Sequence, residues 1–345
     1  MSGTESRRPG AVVTLQDVAD KAGVSIATVS RALNKSGQVS VKLQRRIKAV
    51  VADLGYVPHG AAQALASRRS KTIGAVVPTL ENPNFAIGVE AFQRHLNNAG
   101  YTLLLASSNY DTAQGMLQVL SLVGRGVDGV MLVGYIHDKA LYPFLEEKGI
   151  PFVNTWSLDP VQDTPSVGFD NKQAVIDLVN YLLDLGHRDF GVIAGLTSAN
   201  DRAKARVDGV REALAEKGLS LTQKMLIERP YKILDGQMAL RELLKLPNPP
   251  TAVICGNDLL AFGAMLECNR QGKLIPGEIS IAGFDDLDFA AHLSPPLTTV
   301  RVPADEIGAK AAEYLLSRIV NEPVLPVTEI GVNLVVRAST GSPSR

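Results

Sequence analysis

The sequence lacks the features that mark secreted, membrane-spanning and disulfide-stabilised proteins. Only two of its 345 residues are cysteine, Cys255 and Cys268, and neither lies in a CxxC pair or near a histidine partner. A disulfide framework and a zinc site are therefore not expected. No run of eighteen apolar residues occurs, and the polar stretch from Ser2 to Gly10 has no apolar segment like that of a secretion signal. We expect a cytoplasmic protein with two buried thiols.

Sequence motifs of common enzyme classes are also missing. No GxGxxG opens a helix after a strand, and the chain contains no GxxxxGK[ST], GxSxG or HExxH. The five histidines have no metal-ligand spacing: His59, His95, His137, His187 and His292. The sequence thus predicts a protein that is not an enzyme and that needs no metal or cofactor.

A net charge of zero conceals an asymmetry along the chain. Through Lys71 the sequence holds twelve lysines and arginines against four acids, whereas residues 72–345 hold 23 basic and 31 acidic side chains. The first fifth thus carries eight net positive charges and the rest carries eight net negative ones. A solvated charged face is one explanation, and a polyanionic partner such as nucleic acid is the other.

Short-range signals in the basic segment predict three helices. Thr14 and Asp17 have the spacing of a capping box, so a helix begins at Leu15, and Gly23 supplies the left-handed residue that ends it. Ser25 caps a second helix. A third helix follows Ser40 and ends at Gly55, and its apolar stripe consists of Leu43, Ile47, Val50, Val51 and Leu54.

Two short helices joined by a tight glycine turn predict a helix-turn-helix, although such a pattern is also found in simple αα-hairpins. In a helix-turn-helix the second helix enters the major groove with its first turn towards the bases. Ile26 and Ala27 would contact thymine methyls, and Arg31 would reach a guanine or a phosphate. Together with the charge, the spacing favours DNA binding.

Residues 14–71 resemble the DNA-binding head of the lactose-repressor (LacI/GalR) family through "TLQDVADKAGVSIATVSRALN". The resemblance implies four regions: a disordered N-terminal extension (1–13), a helix-turn-helix domain (14–57), a hinge (58–71) and an effector-binding body (72–341). It implies DNA contacts by Thr14, Ser25, Ile26, Ala27, Thr28, Ser30, Arg31, Asn34, Tyr56, Ala62, Leu65 and Ala66. In such hinges a leucine, here Leu65, wedges into the minor groove. The alternative is that residues 61–66 form a short linker helix.

Beyond Thr72, short apolar runs alternate with amphipathic helical patterns. The runs are "IGAVVP", "YTLLLAS", "GVMLVG", "PFVNTW", "FGVIAG", "AVICGN" and "ISIAGF". This alternation predicts an α/β fold with two doubly wound parallel sheets. The family resemblance continues through "VDGV", "NDLLAFGAM" and "ISIAGFDD", and it implies a periplasmic-binding-protein-like body of two lobes. We assign lobe one to about 72–168 and 299–328, and lobe two to about 169–298 and 329–341.

Ligands of such sheets bind at the carboxyl ends of the strands. The resemblance places an effector cleft there, lined by Phe85, Tyr135, Trp156, Arg206, Tyr231, Asn257 and Asp285. Arginine, asparagine and aspartate would bind hydroxyls, while Trp156 and Tyr231 would offer faces for a sugar ring. Trp156 stands where relatives often have an acid. The expected effector is a small sugar, polyol or sugar acid.

Together these features predict a ligand-controlled transcription regulator, most simply a repressor. It would act as a homodimer on an inverted-repeat operator, because the dyad of the protein mirrors that of the DNA. The chain after Arg337 has no heptad run for a larger assembly. Two alternative classes fit the sequence less well: a secreted sugar-binding receptor would lack the basic head, and a doubly wound enzyme would need a nucleophile, a metal or a phosphate loop.

Overall fold

The computed structural model describes residues 13–34, 39–57, 69–158 and 164–344, and the chain divides into two compact units, residues 1–70 and 71–345. Almost all of the predicted N-terminal extension and most of the hinge lie outside the described residues. So do three of the predicted DNA contacts, Ala62, Leu65 and Ala66.

The first unit, which we call the head, contains three helices: α1 (Leu15–Ala22), α2 (Ile26–Asn34) and α3 (Val41–Leu54). The predicted capping box is present, because the Thr14 side chain accepts a hydrogen bond from the Asp17 amide and the Asp17 carboxylate accepts one from the Thr14 amide. Gly23 and Gly55 both have φ of 62° and end their helices as predicted. Local capping therefore fixes where α1 and α3 begin and end.

The head has a small core of its own. Its fully buried members are Val18, Ala19, Ala22, Val29, Ala32 and Ile47. The predicted stripe of α3 packs onto this cluster, with Ile47 fully buried and its neighbours partly buried. Because three short helices bury so few side chains, the head is a small domain in which each core residue carries a large share of the stability.

The second unit, the body, contains two six-stranded sheets. The first sheet has the order β11-β5-β4-β3-β1-β2, formed by β1 (Thr72–Val77), β2 (Thr102–Ser107), β3 (Gly129–Val133), β4 (Phe152–Thr155), β5 (Ser166–Gly168) and β11 (Val327–Glu329). The second has the order β12-β10-β9-β8-β6-β7, formed by β6 (Phe190–Ala194), β7 (Leu226–Glu228), β8 (Ala252–Cys255), β9 (Ser280–Asp285), β10 (Thr298–Arg301) and β12 (Asn333–Val335). Among the strands of these sheets, all pairings are parallel except that of β10 with β12.

Helices connect the strands and cover the sheets, as the alternating pattern predicted. In chain order they are α4 (Pro83–Asn98), α5 (Thr112–Gly124), α6 (Leu141–Glu147), α7 (Asn171–Asp184), α8 (Asp201–Glu216), α9 (Ile233–Leu244), α10 (Asp258–Arg270) and α11 (Ala304–Ile319). Short 3-10 turns occupy Gln223–Met225 and Asp288–His292. No helix in the described part of the chain is long and apolar enough to cross a membrane.

The predicted lobe boundaries need correction at two places. We assigned residues from 299 onwards to lobe one, but β10 runs parallel to β9 in the second sheet, so the chain returns to lobe one only after Arg301. We assigned Glu329 to lobe two, but it ends β11, which pairs with β5 in the first sheet. The sequence placed these crossovers too early because strand pairing, not local composition, decides which sheet a segment joins.

Both predicted buried thiols are buried. Cys255 ends β8 and Cys268 lies in α10, and both belong to the same apolar cluster of lobe two. Burial raises the pKa of the Cys268 thiol to about 12, and it also raises the pKa of Cys255. Neither thiol is poised to react at neutral pH.

Candidate nucleic-acid interface and interlobe cleft

The first turn of α2 is exposed to solvent. Ser25, Ile26 and Ala27 are exposed, and Ile26 keeps 43% of its surface in solvent. Ser25 also caps the helix, since its hydroxyl accepts a hydrogen bond from the Thr28 amide at 3.2 Å. The side chain of Ile26 is therefore accessible to a partner.

The other predicted DNA contacts differ in exposure. Thr14 is exposed although its hydroxyl takes part in the capping box. Arg31 is exposed, and its Nε donates to the Ala27 carbonyl at 3.1 Å, which lays the guanidinium along the outer face of α2. Ser30 is half-buried, and Tyr56 packs on the head core. Asn34 ends α2, and its side chain lies outside the described residues.

In the body, six of the seven predicted effector residues line one cavity between the lobes: Phe85, Trp156, Arg206, Tyr231, Asn257 and Asp285. Six further residues line the cavity: Asn82 and Asn84, which lie in the predicted polar segment after the first strand, and Tyr110, Phe169, Asn200 and Arg202, which sequence reasoning missed. We call this space the inner chamber. Its free volume is about 20 Å³, little more than one water molecule needs.

The seventh residue, Tyr135, does not reach the inner chamber. It lines a separate groove, and its amide donates to the Asp201 carboxylate at 3.2 Å. The preceding Gly134 has φ of +77°, and an added Cβ there would come within 2.3 Å of Asp201. The start of α8 therefore sits tightly against this turn and keeps Tyr135 outside.

Arg206 is the most firmly held of the polar groups in the chamber. Its Nε donates to Asn171 Oδ1 at 3.1 Å, its Nη1 donates to the Gly256 carbonyl at 2.6 Å, and its guanidinium lies 4.0 Å from the Phe284 ring centroid. Such fixed donors are pre-organised for an acceptor on a ligand.

The side-chain amide of Asn257 has one polar atom with a hydrogen-bond partner and one without. Its Oδ1 caps α10 by accepting from the Leu260 amide at 3.0 Å. Its Nδ2 is buried and has no hydrogen-bond partner among the described residues. A buried donor without a partner costs about 1–3 kcal/mol, so such a group in a cavity wall points to a ligand.

Asp285 ends β9 with φ of +114° and is only 8% exposed. Burial raises its pKa to about 6, against the opposing effects of Arg206 and of hydrogen bonds from Asn84 and Asn82. At neutral pH the group is therefore mostly ionised and a strong acceptor. A carboxylate that stays ionised in a cavity wall although burial disfavours its charged form is typical of a functional site.

The neighbouring Asp286 fastens the loop. Its carboxylate accepts from Arg301 Nε at 2.6 Å and from Arg337 Nη2 at 2.7 Å. Asp258 secures the same loop by accepting from the Leu287 amide at 2.7 Å. Because Asp286 and Asp258 hold the backbone of the loop after β9, the side chain of Asp285 is available to line the chamber.

Lobe one contributes a packed aromatic wall. Trp156 is 3% exposed, its Nε1 donates to Asn84 Oδ1 at 3.0 Å, and its ring meets Phe85 edge-on at 5.3 Å. An added Cβ at Gly88 would lie 2.4 Å from the Trp156 ring. The ring therefore packs against α4, and it lines the chamber without offering the free stacking face that the sequence predicts.

A positive φ marks several of these positions. Besides Asp285, the residues Asn109, Tyr110 and Trp156 have φ between 51° and 61°, and each follows a strand of lobe one. Non-glycine residues in this region cost about 1–3 kcal/mol and concentrate at ligand sites. For Tyr110, its place after the second strand was the sequence signal that could have included it.

Comparison with known proteins agrees with this architecture. The model for bacterial regulatory proteins of the lacI family matches residues 14–59, and that for the periplasmic binding protein-like domain matches residues 179–340. The HTH-type transcriptional repressor CytR of Escherichia coli (strain K12) is 31% identical over 342 residues, covering 97% of this chain and 98% of CytR. The HTH-type transcriptional repressor PurR of Yersinia enterocolitica serotype O:8 is 32% identical over 338 residues, covering 95% and 97%.

Solved structures give the same result. A lac repressor dimer bound to operator and the anti-inducer ONPF has a TM-score of 0.86 at 26% identity, covering 96% of this chain and all of that one. The transcription regulator GntR from Chromobacterium violaceum has a TM-score of 0.73 at 30% identity, covering 78% of this chain and 99% of that one. The chain therefore belongs to the lacI family of bacterial regulatory proteins, a family of DNA-binding transcription regulators.

Proposed function

We propose that this chain is a transcriptional repressor. It binds an inverted-repeat operator as a homodimer, and a small polar effector controls its affinity for the operator. The observation that carries the effector half is the buried, unpartnered Nδ2 of Asn257 beside the ionised Asp285. The similar proteins support the repressor half, since CytR, PurR and the lac repressor are all repressors and the last of them is a dimer on its operator.

The chemistry of the inner chamber fits a hydroxylated ligand. Arg206 and the Asn257 amide donate, whereas Asp285 accepts, so two adjacent hydroxyl groups could each donate and accept once. A sugar, a polyol or a sugar acid offers such pairs. Phe85 and Trp156, packed edge-on against each other, would bound the ligand on the side of lobe one without a free ring face for stacking.

Control would follow from the position of the chamber between the lobes. Lobe one provides Phe85 and Trp156 and lobe two provides Arg206, Asn257 and Asp285, while the free space is only about 20 Å³. A sugar-sized ligand must therefore displace the side chains or the lobes. A ligand that favours one lobe arrangement shifts the DNA-competent population by its differential affinity, typically about 1–3 kcal/mol.

The DNA half of the proposal rests on the head. The exposed first turn of α2 would enter the major groove, with Ile26 and Ala27 near the bases and Arg31 one turn further along. The hinge contacts by Ala62, Leu65 and Ala66, and the contact by Asn34, remain predictions. We place this activity in the cytoplasm, where the operator is.

The effector half can be tested with the single tryptophan of the chain, because Trp156 lines the chamber and its emission reports ligand entry. We would titrate the full chain with D-glucose, D-ribose, sorbitol and D-gluconate. A compound that changes the emission should also change operator affinity in a gel shift by about 5- to 150-fold. Asn257→Asp keeps the helix cap but turns the free donor into an acceptor, so it should abolish both responses. Asp288→Asn, on the exposed 3-10 turn, is the control and should keep them. Full responses in Asn257→Asp would refute the cleft assignment.

The DNA half needs an operator, which can be selected from random duplexes with the full chain. Arg31→Ala should then cost about 1–3 kcal/mol of binding free energy and relax preference at one base pair of each half-site. Arg125→Ala, an exposed arginine of the body, is the control. Equal weakening on all sequences would reassign Arg31 to a phosphate contact, and no effect would remove it from the interface.

A further inference from the structure

The positive charge of the three head helices lies mainly on α3. This helix carries four cations, all of them exposed: Lys42, Arg45, Arg46 and Lys48. By contrast, α2 carries Arg31 alone. Most of the charge is therefore outside the helix that we expect to enter the major groove.

The four cations share the outward side of α3. Lys42, Arg45 and Arg46 are three and four residues apart, so their side chains lie together on the helix surface. Lys48 follows Arg45 by three residues and extends the same surface. The opposite side of the helix faces the head core, where Ile47 is fully buried. We call the four cations the basic face.

The acids in the described part of the head are bound elsewhere. Asp17 closes the capping box of α1, and Asp20 accepts from the Gln16 amide at 2.7 Å. Asp53 forms an ion pair with Lys21. Within the described part of the head, the basic face is therefore not neutralised by a carboxylate.

This arrangement works against the stability of α3. Like charges three or four residues apart on a helix repel each other. Lys42 also lies in the first turn, where the positive end of the helix dipole disfavours a cation and where α3 has no acid. A charge pattern that opposes helix formation and is not compensated by neighbouring acids indicates a polyanionic partner.

The packing of the head identifies duplex DNA as that partner. Gln44 of α3 donates to the Ala32 carbonyl of α2 at 3.3 Å, so the basic face is tied to the helix that we expect in the groove. Phosphates border both sides of this groove, and a duplex carries one negative charge per about 1.7 Å of its axis. A head that places α2 in the groove therefore brings its other surfaces close to phosphates.

We propose that the basic face of α3 binds phosphates beside the groove that α2 enters and supplies most of the sequence-independent affinity of the head. The first turn of α2 then supplies the preference for the operator, since contacts to phosphates position a protein and contacts to bases specify the sequence. This inference rests on the proposed function, and it adds contacts that the family resemblance does not imply.

The experiment measures the affinity of the full chain for two duplexes of equal length, the selected operator and a scrambled sequence. Fluorescence anisotropy gives both affinities at potassium chloride concentrations from about 50 to about 200 mM. The test protein is a triple variant: Lys42→Gln, Arg45→Gln and Arg46→Gln. Glutamine is a good helix former, and these positions are exposed, so the head should fold.

A control variant separates the position of the charges from their number. It replaces three exposed cations of the body with glutamine, Arg125, Lys217 and Lys224, and it should bind both duplexes as the wild type does. The triple variant of α3 should bind both duplexes at least about tenfold more weakly at the lowest salt concentration, with the ratio of the two affinities changed less than about threefold. The steepness of log affinity against log salt should fall by about 0.9 for each lost contact, hence by about 3 or more across the two heads of a dimer.

Two results would overturn the inference. One is a triple variant with the affinities and salt dependence of the control, and the other is a triple variant that weakens on the operator alone, because the cations would then contact bases. The double variant Arg45→Lys and Arg46→Lys keeps the charges and should bind within about threefold of the wild type. A loss as large as that of the triple variant would contradict binding through charge.

The proposed function can fail or stand separately from this inference. If Arg31→Ala reduces the preference for the operator while the triple variant binds like the wild type, the basic face is wrong and the proposed function stands. If the wild type selects no operator from random duplexes, both proposals fail.

Discussion

The two lobes share one topology but differ in the chemistry they bring to the cleft. In both sheets the first strand lies between the second and the third. Residues that follow the same strand in the two lobes therefore occupy equivalent positions at the cleft. The helices after the first strands are capped by Asn82 and Asn200, and the second strands lead to Tyr110 and Tyr231. At the end of the fourth strand the lobes diverge, since lobe one has Trp156 and lobe two has Asp285. Topology therefore decides where a side chain lies, and its identity decides what it does.

The difference extends to the interiors. Within the described part of the body, every buried aspartate, glutamate, lysine or arginine belongs to lobe two: Asp201, Arg202, Asp258, Glu267 and Asp285. These groups are supported by partners. Glu267, for example, accepts from Arg241 and Arg270 at 2.6–3.0 Å, and these contacts hold its pKa well below its usual range. Lobe one buries only neutral polar groups such as Asn84 and Thr155. Lobe two is thus the polar half of the cleft and lobe one the aromatic half.

The largest expected effect on effector affinity comes from replacing Asp285, which takes the place in lobe two that Trp156 has in lobe one. Asp285→Asn removes the ionised acceptor, and we expect about a 100-fold loss of affinity for the sugar that the fluorescence screen identifies. Trp156→Phe keeps most of the aromatic wall and should cost less than tenfold. Calorimetry is the measurement, because the second variant has no tryptophan. Equal losses of affinity in the two variants would contradict the division of the cleft into a polar half and an aromatic half.

The next effect tests the packing of the aromatic half. Gly88→Ala would push a methyl to 2.4 Å from the Trp156 ring and 2.9 Å from the Ala304 carbonyl. Overpacking of this kind should lower the free energy of unfolding by about 2 kcal/mol and shift the tryptophan emission. Gly124→Ala is the matched change, since nothing lies within 4 Å of its added Cβ, and it should be neutral or slightly stabilising. Similar urea midpoints for the two variants would show that the wall is loosely packed.

A smaller effect tests the charged half through pH. Burial raises the pKa of Asp285 in the folded state from its ordinary value of 3.8 to about 6, so the folded state binds the proton more tightly than the unfolded state. The stability from this group is complete below the unfolded pKa and is lost as pH rises through about 6. Between pH 7 and pH 5 the wild type should gain about 1 kcal/mol relative to Asp285→Asn, as measured by urea unfolding. A constant difference between the two proteins would show that Asp285 is solvated.

Features that depend on neighbours within one helical turn were predictable from sequence. The capping box of Thr14 and Asp17, the left-handed Gly23 and Gly55, and the cap at Ser40 all follow from local chemistry. Seven strands of the body, β1 to β4, β6, β8 and β9, were also predicted, because each is an apolar run. The four-residue strand β10 and the three-residue strands β5, β7, β11 and β12 were missed, since such short segments carry no periodic signal.

Features that depend on tertiary contact were predicted in part. Six effector positions do meet in the inner chamber, but Tyr135 does not, because the close approach of Asp201 to Gly134 cannot be inferred from either sequence segment alone. Tyr110 was overlooked since its side chain enters the cleft through two successive residues of positive φ. Strain of this kind violates local preference, and local preference is what sequence reasoning uses.

The smallest expected effect tests the shared topology itself. Asn82 Oδ1 accepts from the Asn84 amide at 3.0 Å, and Asn200 Oδ1 accepts from the Ala203 amide at 3.2 Å, each at the start of the helix that follows the first strand of its lobe. If the lobes are equivalent at this level, Asn82→Ala and Asn200→Ala should each lower the free energy of unfolding by about 1 kcal/mol. Aspartate at either position keeps the accepting oxygen, so Asn82→Asp and Asn200→Asp should recover most of that loss in urea denaturation. If aspartate recovers the loss of stability in one lobe but not in the other, one of the asparagines acts mainly through its amide group in the cleft. The lobes would then be equivalent in backbone structure but not in the role of this side chain.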